Sequence, residues 1–136
     1  MRLEDVRRAR FGRGARGPDR IDCLGVTLVG CSQLGNPLPD PWQTFLVAWR
    51  RQAAGDPPLE MTGLPETWRR LEFEDSPTAW SRDVRDGDVW LWHRAGANYP
   101  GCGVVYQGRV WTATVEAGVV ALEPHRAQKP DEVWRP

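Results

Sequence analysis

Behind Asp22 the chain runs CLGVTLVGC, nine residues without a charge. Leu24, Val26, Leu28 and Val29 leave it apolar nearly all round, so it has no side to turn to water and must be buried. Asp22 is placed to cap a helix beginning at Cys23. A strand is the competing reading, because the run is short and rich in β-branched residues. Either way, the rest of the chain must be arranged to cover this segment.

The segments downstream supply the cover. The stretch GNPLPDP is a strongly punctuated turn. Asp40 and Pro41 then open a second helix, an N-cap residue followed by proline at the first helical position. Trp42, Phe45, Leu46 and Trp49 come next at i, i+3, i+4 and i+7 as one apolar stripe, Arg50 and Arg51 suit the C-terminal end, and GDPP stops it. A third, weaker helix is expected over Glu66 to Leu71. From Val84 the period changes. In DVRDGDVWLWHR, Val89 and Leu91 alternate with Trp90 and Trp92, a strand apolar on both faces that is either central or offers an aromatic face to a partner. CGVVYQGRVWTATV reads as two strands joined at Gln107-Gly108-Arg109, and EAGVVALE as a third after a turn at Gly118. Helices first and antiparallel strands second predict an α+β domain, with N-terminal helices packed on a small antiparallel sheet. The expected division is a basic N-terminal arm over 1–20, a domain over 21–125, and a polar tail over 126–136 running across the surface.

The chain has 136 residues, room for one domain and one core. Formal net charge is zero, which gives no global argument for nucleic acid. No apolar run approaches the ~20 residues of a membrane helix, so no membrane insertion is expected. The basic start has no apolar stretch behind it, unlike a secretory signal, which predicts synthesis in the cytoplasm. Seven arginines crowd the first twenty residues. They read either as a solvated arm or as an arm that docks on an acidic protein partner. Eight tryptophans are many for this length; most should be core, but an aromatic surplus with arginine is also the composition of protein interfaces. Three cysteines do not suggest a disulfide framework. With no CxxC or HxxxH spacing and no phosphate-binding glycine loop, neither a metal nor a cofactor is expected.

Four landmarks, in order, resemble the NlpC/P60 family of papain-like cysteine peptidases, especially the short versions encoded with phage tails. Asp22, Cys23 and Gly25 look like the segment holding the nucleophile. LGNPLPDP looks like the turn after the first helix. Gly87 and Asp88 look like the turn entering the first core strand. CGVVYQGRVW, with Tyr106 and Gly108, resembles the strand-turn-strand that normally begins with the catalytic histidine. The resemblance covers residues 11–122 and implies a papain-like fold and cleavage of peptidoglycan stem peptides. In that chemistry a cysteine at a helix N-terminus is held as thiolate, a histidine on the facing strand takes its proton, and a polar residue on the next strand orients the imidazole.

The pattern departs where the chemistry needs it most. Cys102 stands at the histidine position and Thr112 at the orienting position. A thiol is a poor donor and acceptor and cannot replace imidazole, and losing a general base alone costs ~10²–10⁴ in rate. The chain has two histidines. His93, near the end of the first core strand, is the candidate for a relocated base, and His125 lies further off. Cys23 therefore reads either as a degenerate nucleophile or as a packed, inert thiol, and Cys31 as core. If the family geometry holds, Cys23 and Cys102 face each other, free, bridged or holding a metal. The expected role is a structural or docking subunit of a phage tail tip or baseplate, whose partners are other tail proteins and whose destination is the virion. The competing expectation is an active peptidoglycan endopeptidase, with His93 or a partner supplying the base. A third is a module that binds cell-wall peptide without cutting it.

Overall fold

A computed structural model describes residues 1–40, 65–73, 78–92 and 101–136. Within them the order is α1 (Leu3–Val6), β1 (Arg10–Phe11), β2 (Arg20–Ile21), α2 (Cys23–Gln33), β3 (Arg69–Arg70), α3 (Ala79–Arg82), β4 (Val89–Trp92), β5 (Gly101–Tyr106), β6 (Arg109–Thr114), β7 (Gly118–Leu122), a 3₁₀ turn (Pro124–Arg126) and β8 (Glu132–Arg135). The larger sheet has six strands in the order β3-β8-β4-β5-β6-β7, and its pairings are antiparallel. β1 and β2 form a separate parallel pair. A small antiparallel sheet with few helices is compatible with the expected α+β class. The helix expected from Asp40 onward has its apolar stripe outside the described residues. Among the described residues no helix is long and apolar enough to cross a membrane.

The apolar run after Asp22 is helical. Asp22 Oδ1 accepts the Gly25 N–H at 2.8 Å, which supplies the N-cap. At the other end the Gly35 N–H reaches the Ser32 carbonyl (3.1 Å) and the Asn36 N–H the Cys31 carbonyl (2.8 Å), with Gly35 at φ +83°. That is a Schellman stop, and it explains why the helix ends where GNP begins. Seven residues of α2 are buried. Gly30 lets the helix lie close against β5, since a Cβ there would sit 2.5 Å from Val104 Cγ1. The sheet thus has a helix face, where Val89, Leu91, Cys102 and Val104 meet Leu24 and Val26. On its other face Trp90 and Trp92 meet Trp80, Val105, Val110 and Val133. The doubly apolar β4 is accordingly a central strand, flanked by β5 and β8.

The β5–β6 hairpin turns at Gln107-Gly108, both with positive φ (52° and 72°), the conformation that twists in step with the strands. The Asp86 carboxylate accepts both turn N–H groups, at 3.0 and 3.1 Å, which offsets the cost of a non-glycine residue at Gln107.

Three expectations need correction. Residues Glu66 to Leu71 are not helical: a turn carries Trp68 into the core, Arg69–Arg70 pairs with β8, and the Leu71 N–H bonds the Val133 carbonyl at 2.9 Å. An available strand edge outweighs a weak helical pattern. The final residues do not run over the surface either. β8 lies between β3 and β4, with Glu132 and Arg135 buried. Its charges are tolerated because they are paired: Arg135 bonds both oxygens of Asp88 at 2.8 Å, and Glu132, which accepts the Trp134 indole N–H at 3.2 Å, has Arg70 Nη1 at 3.7 Å. Lastly, the first residues do more than solvate. Leu3 and Val6 are fully buried, the Leu3 N–H bonds Gln33 Oε1 at 2.7 Å, and the Tyr106 hydroxyl donates to Glu4 Oε1 at 2.6 Å. Arg7, Arg8, Arg10 and Arg20 stay exposed on this pinned segment.

Candidate functional site

Cys23 is the first residue of α2, and Cys102 is the second residue of β5, paired with Leu91 of β4. Both thiols are buried on the helix face of the sheet, Cys23 at 5% exposure and Cys102 at 0%. Packing of α2 over β5 puts both residues in one buried cluster. The two are free thiols. Thr27, one turn along α2, completes the cluster. Its hydroxyl has one proton to give, and lies within donating distance of the Cys23 carbonyl oxygen (2.9 Å) and of Cys102 Sγ (3.2 Å).

The pair shares protons unequally. The Cys102 side chain, together with the backbone at Cys102 and Leu24, holds the Cys23 thiol below the usual cysteine range, against the opposing effects of burial and of Asp22. Burial pushes Cys102 well up, and its hydrogen bond to Cys23 pushes it further. Cys23 is thus the acidic member, in keeping with its place at a helix N-terminus. Cys31, eight residues along the same helix, is pushed up to about 12 by burial alone and belongs to the core.

Asp22 does not face a substrate space. Beyond capping α2, it accepts the Gly14 N–H at 2.8 Å and Arg16 Nη1 at 2.9 Å. Arg16 in turn grips Asp40 through Nε (2.7 Å) and Nη2 (2.9 Å). This chain of charge ties the glycine-rich segment 12–17 and the turn after α2 to the helix start. Thr112 acts on backbone: its hydroxyl donates to the Cys102 carbonyl at 2.7 Å and fastens β5 to β6. Of the residues singled out in the sequence, the structure therefore brings Cys23, Cys102 and Thr112 together. His93 lies outside the described residues. His125 has a side chain 63% exposed beside Glu123, in the turn that packs with α3 on the tryptophan face, across the sheet from the thiols. Among the described residues, no imidazole stands beside Cys23, and no group of three or more His, Cys, Asp or Glu is arranged to hold a metal.

Sequence reasoning missed Thr27 and Arg16. The signal for Thr27 was its presence as the single hydroxyl in the apolar run from Cys23 to Cys31, where a buried polar group needs a partner. Arg16 carried no signal that set it apart from its six neighbours in composition. No protein-family profile and no curated protein sequence matches this chain.

Proposed function

We propose that this chain is a catalytically degenerate NlpC/P60-like domain with a papain-like arrangement, serving as a structural or docking subunit of a phage tail tip or baseplate. The observation that carries the reading is Cys102 opposite Cys23, a thiol on the facing strand where the resemblance puts a histidine. The helix start retains what a peptidase of this type uses to hold a thiolate. The facing strand offers a second buried thiol, which has no lone pair comparable to imidazole for taking a proton from the nucleophile and returning it to a leaving amine. Cys23 is also 5% exposed, which leaves little room for a peptide carbonyl to approach it. Docking is the role left to such a domain, and its partners are other tail or baseplate proteins.

The lowered Cys23 thiol favours the second reading, an active endopeptidase drawing a base from His93 or from a partner. Co-expression with the neighbouring tail proteins, followed by size exclusion, separates the two. The docking reading predicts a stable complex that Cys23→Ser leaves intact. Absence of any complex, together with muropeptide cleavage lost in Cys23→Ser, would establish the peptidase instead.

A further inference from the structure

We infer that Cys23 and Cys102 form a redox couple, a site at which hydrogen peroxide converts two buried thiols into one intramolecular disulfide. The inference stands apart from the proposed function, because it needs only the two sulfurs and not the family resemblance. Three features of the geometry carry it. Thr27 Oγ1 lies 2.9 Å from the Cys23 carbonyl oxygen and 3.2 Å from Cys102 Sγ, so both cysteines belong to one buried cluster at the α2–β5 contact, and the Cys102 side chain is the strongest influence on the Cys23 thiol. Cys23 opens a helix capped by Asp22, the position that favours thiolate, while Thr27 holds Cys102 from one turn above. The third cysteine, Cys31, lies eight residues along the helix and is a poor competitor, being held firmly as the thiol.

The chemistry balances without any further component. The Cys23 thiolate attacks one peroxide oxygen, the O–O bond breaks, and hydroxide leaves, giving a sulfenic acid at Cys23. The Cys102 sulfur attacks the Cys23 sulfur and the S–O bond breaks. The proton of Cys102 leaves with the departing oxygen as water. Two thiols are oxidised, one peroxide is reduced, and two waters result once the hydroxide takes up the proton that Cys23 gave up. Hydrogen peroxide is the fitting oxidant because it is small and uncharged, and Cys23 is only 5% exposed. The product joins the first turn of α2 to a central strand, elements far apart in the chain, and so restrains the unfolded chain strongly.

The test uses the full chain, reduced, exchanged into buffer without thiol and treated with hydrogen peroxide under native conditions. Remaining thiols are alkylated after denaturation, and the products are mapped by mass spectrometry. The expected result is a chain lighter by two hydrogens, with the Cys23 peptide joined to the Cys102 peptide, Cys31 alkylated, and the bond reversed by dithiothreitol. The oxidised chain then unfolds at higher denaturant than the reduced one. In Cys102→Ser, a sulfenic-acid probe such as dimedone labels Cys23. The wild-type map decides the matter even if that variant fails to fold. A disulfide that includes Cys31, a disulfide between two chains, over-oxidation of Cys23 with Cys102 left free, or no reaction at all overturns the inference.

Discussion

The two faces of the central sheet solve the same packing problem differently. On the helix face, α2 lies close on β5 and β6, and its buried polar groups are partnered: Asp22 by three donors, Thr27 by a carbonyl and a thiol, Thr112 by a carbonyl. On the other face tryptophans do the filling. Trp80, Trp90 and Trp92 meet edge to face, with centroids 5.6 and 6.0 Å apart. There Trp92 donates its indole N–H to the Gln128 carbonyl at 2.9 Å, while Trp90, fully buried, has no acceptor for its own among the described residues. The helix face is specified by hydrogen bonds and close approach. The tryptophan face is specified by volume and closed at one end by the Asp88–Arg135 pair. Among the described residues the cysteines and the hydroxyls bonded around them lie on the helix face.

Mutations can break or sharpen this contrast. Arg135→Ala leaves Asp88 charged, 1% exposed and without its main partner, and is expected to cost ~3–5 kcal/mol in urea unfolding. A loss under ~1 kcal/mol there would mean that the pair merely breaks even with solvent. Gly30→Ala pushes a methyl onto Val104 and is expected to cost ~1–3 kcal/mol, loosening the α2–β5 contact on which the thiol pair depends. Asp22→Ala removes the α2 cap and is expected to cost ~0.5–2 kcal/mol. It also removes a carboxylate that opposes thiolate at Cys23, so alkylation of Cys23 should extend to lower pH, provided the helix start is retained. Smallest is a difference between two like changes. Trp92→Phe loses a hydrogen bond and strands a carbonyl, whereas Trp90→Phe discards an unpaired donor. Trp92→Phe should therefore cost more, by ~1 kcal/mol. Equal costs would show that the indole N–H groups carry no weight on that face.

The thiols give the pH counterpart. A thiolate is the reactive form, and a lowered thiol keeps it to lower pH. At neutral pH Cys31, at about 12, is thiolate in roughly one molecule in 10⁵. A small alkylating agent should therefore reach Cys23 long before Cys31 in the folded chain, and unfolding in denaturant should erase the order. Cys31 reacting first would contradict the assignment of Cys23 as the acidic member.

The sequence was most legible where one local rule acted alone. Asp22 before an apolar run announced α2, Gln107-Gly108 announced the hairpin, and Val89 to Trp92 announced a strand apolar on both sides. It was least legible where the deciding partner lay far along the chain. Glu132 and Arg135 look like surface residues until Arg70 and Asp88 are set beside them, so β8 read as a tail. Arg69 and Arg70 look helical or loose until β8 offers an edge. Leu3 and Val6, hidden among arginines, gave no hint that Tyr106 and Gln33 would hold that segment in place. The facing of Cys23 and Cys102 came from the resemblance alone. Packing of α2 across β5 puts both residues in one buried cluster independently of it.

The central claim of the proposed function is that Cys23, with no imidazole beside it among the described residues, does not turn over. The most direct measurement incubates the full chain, and separately its Cys23→Ser variant, with purified muropeptides at neutral pH and quantifies cleaved stem peptides by liquid chromatography and mass spectrometry. The account predicts no product above the Cys23→Ser level. Steady turnover by the wild-type chain that disappears in Cys23→Ser would contradict it.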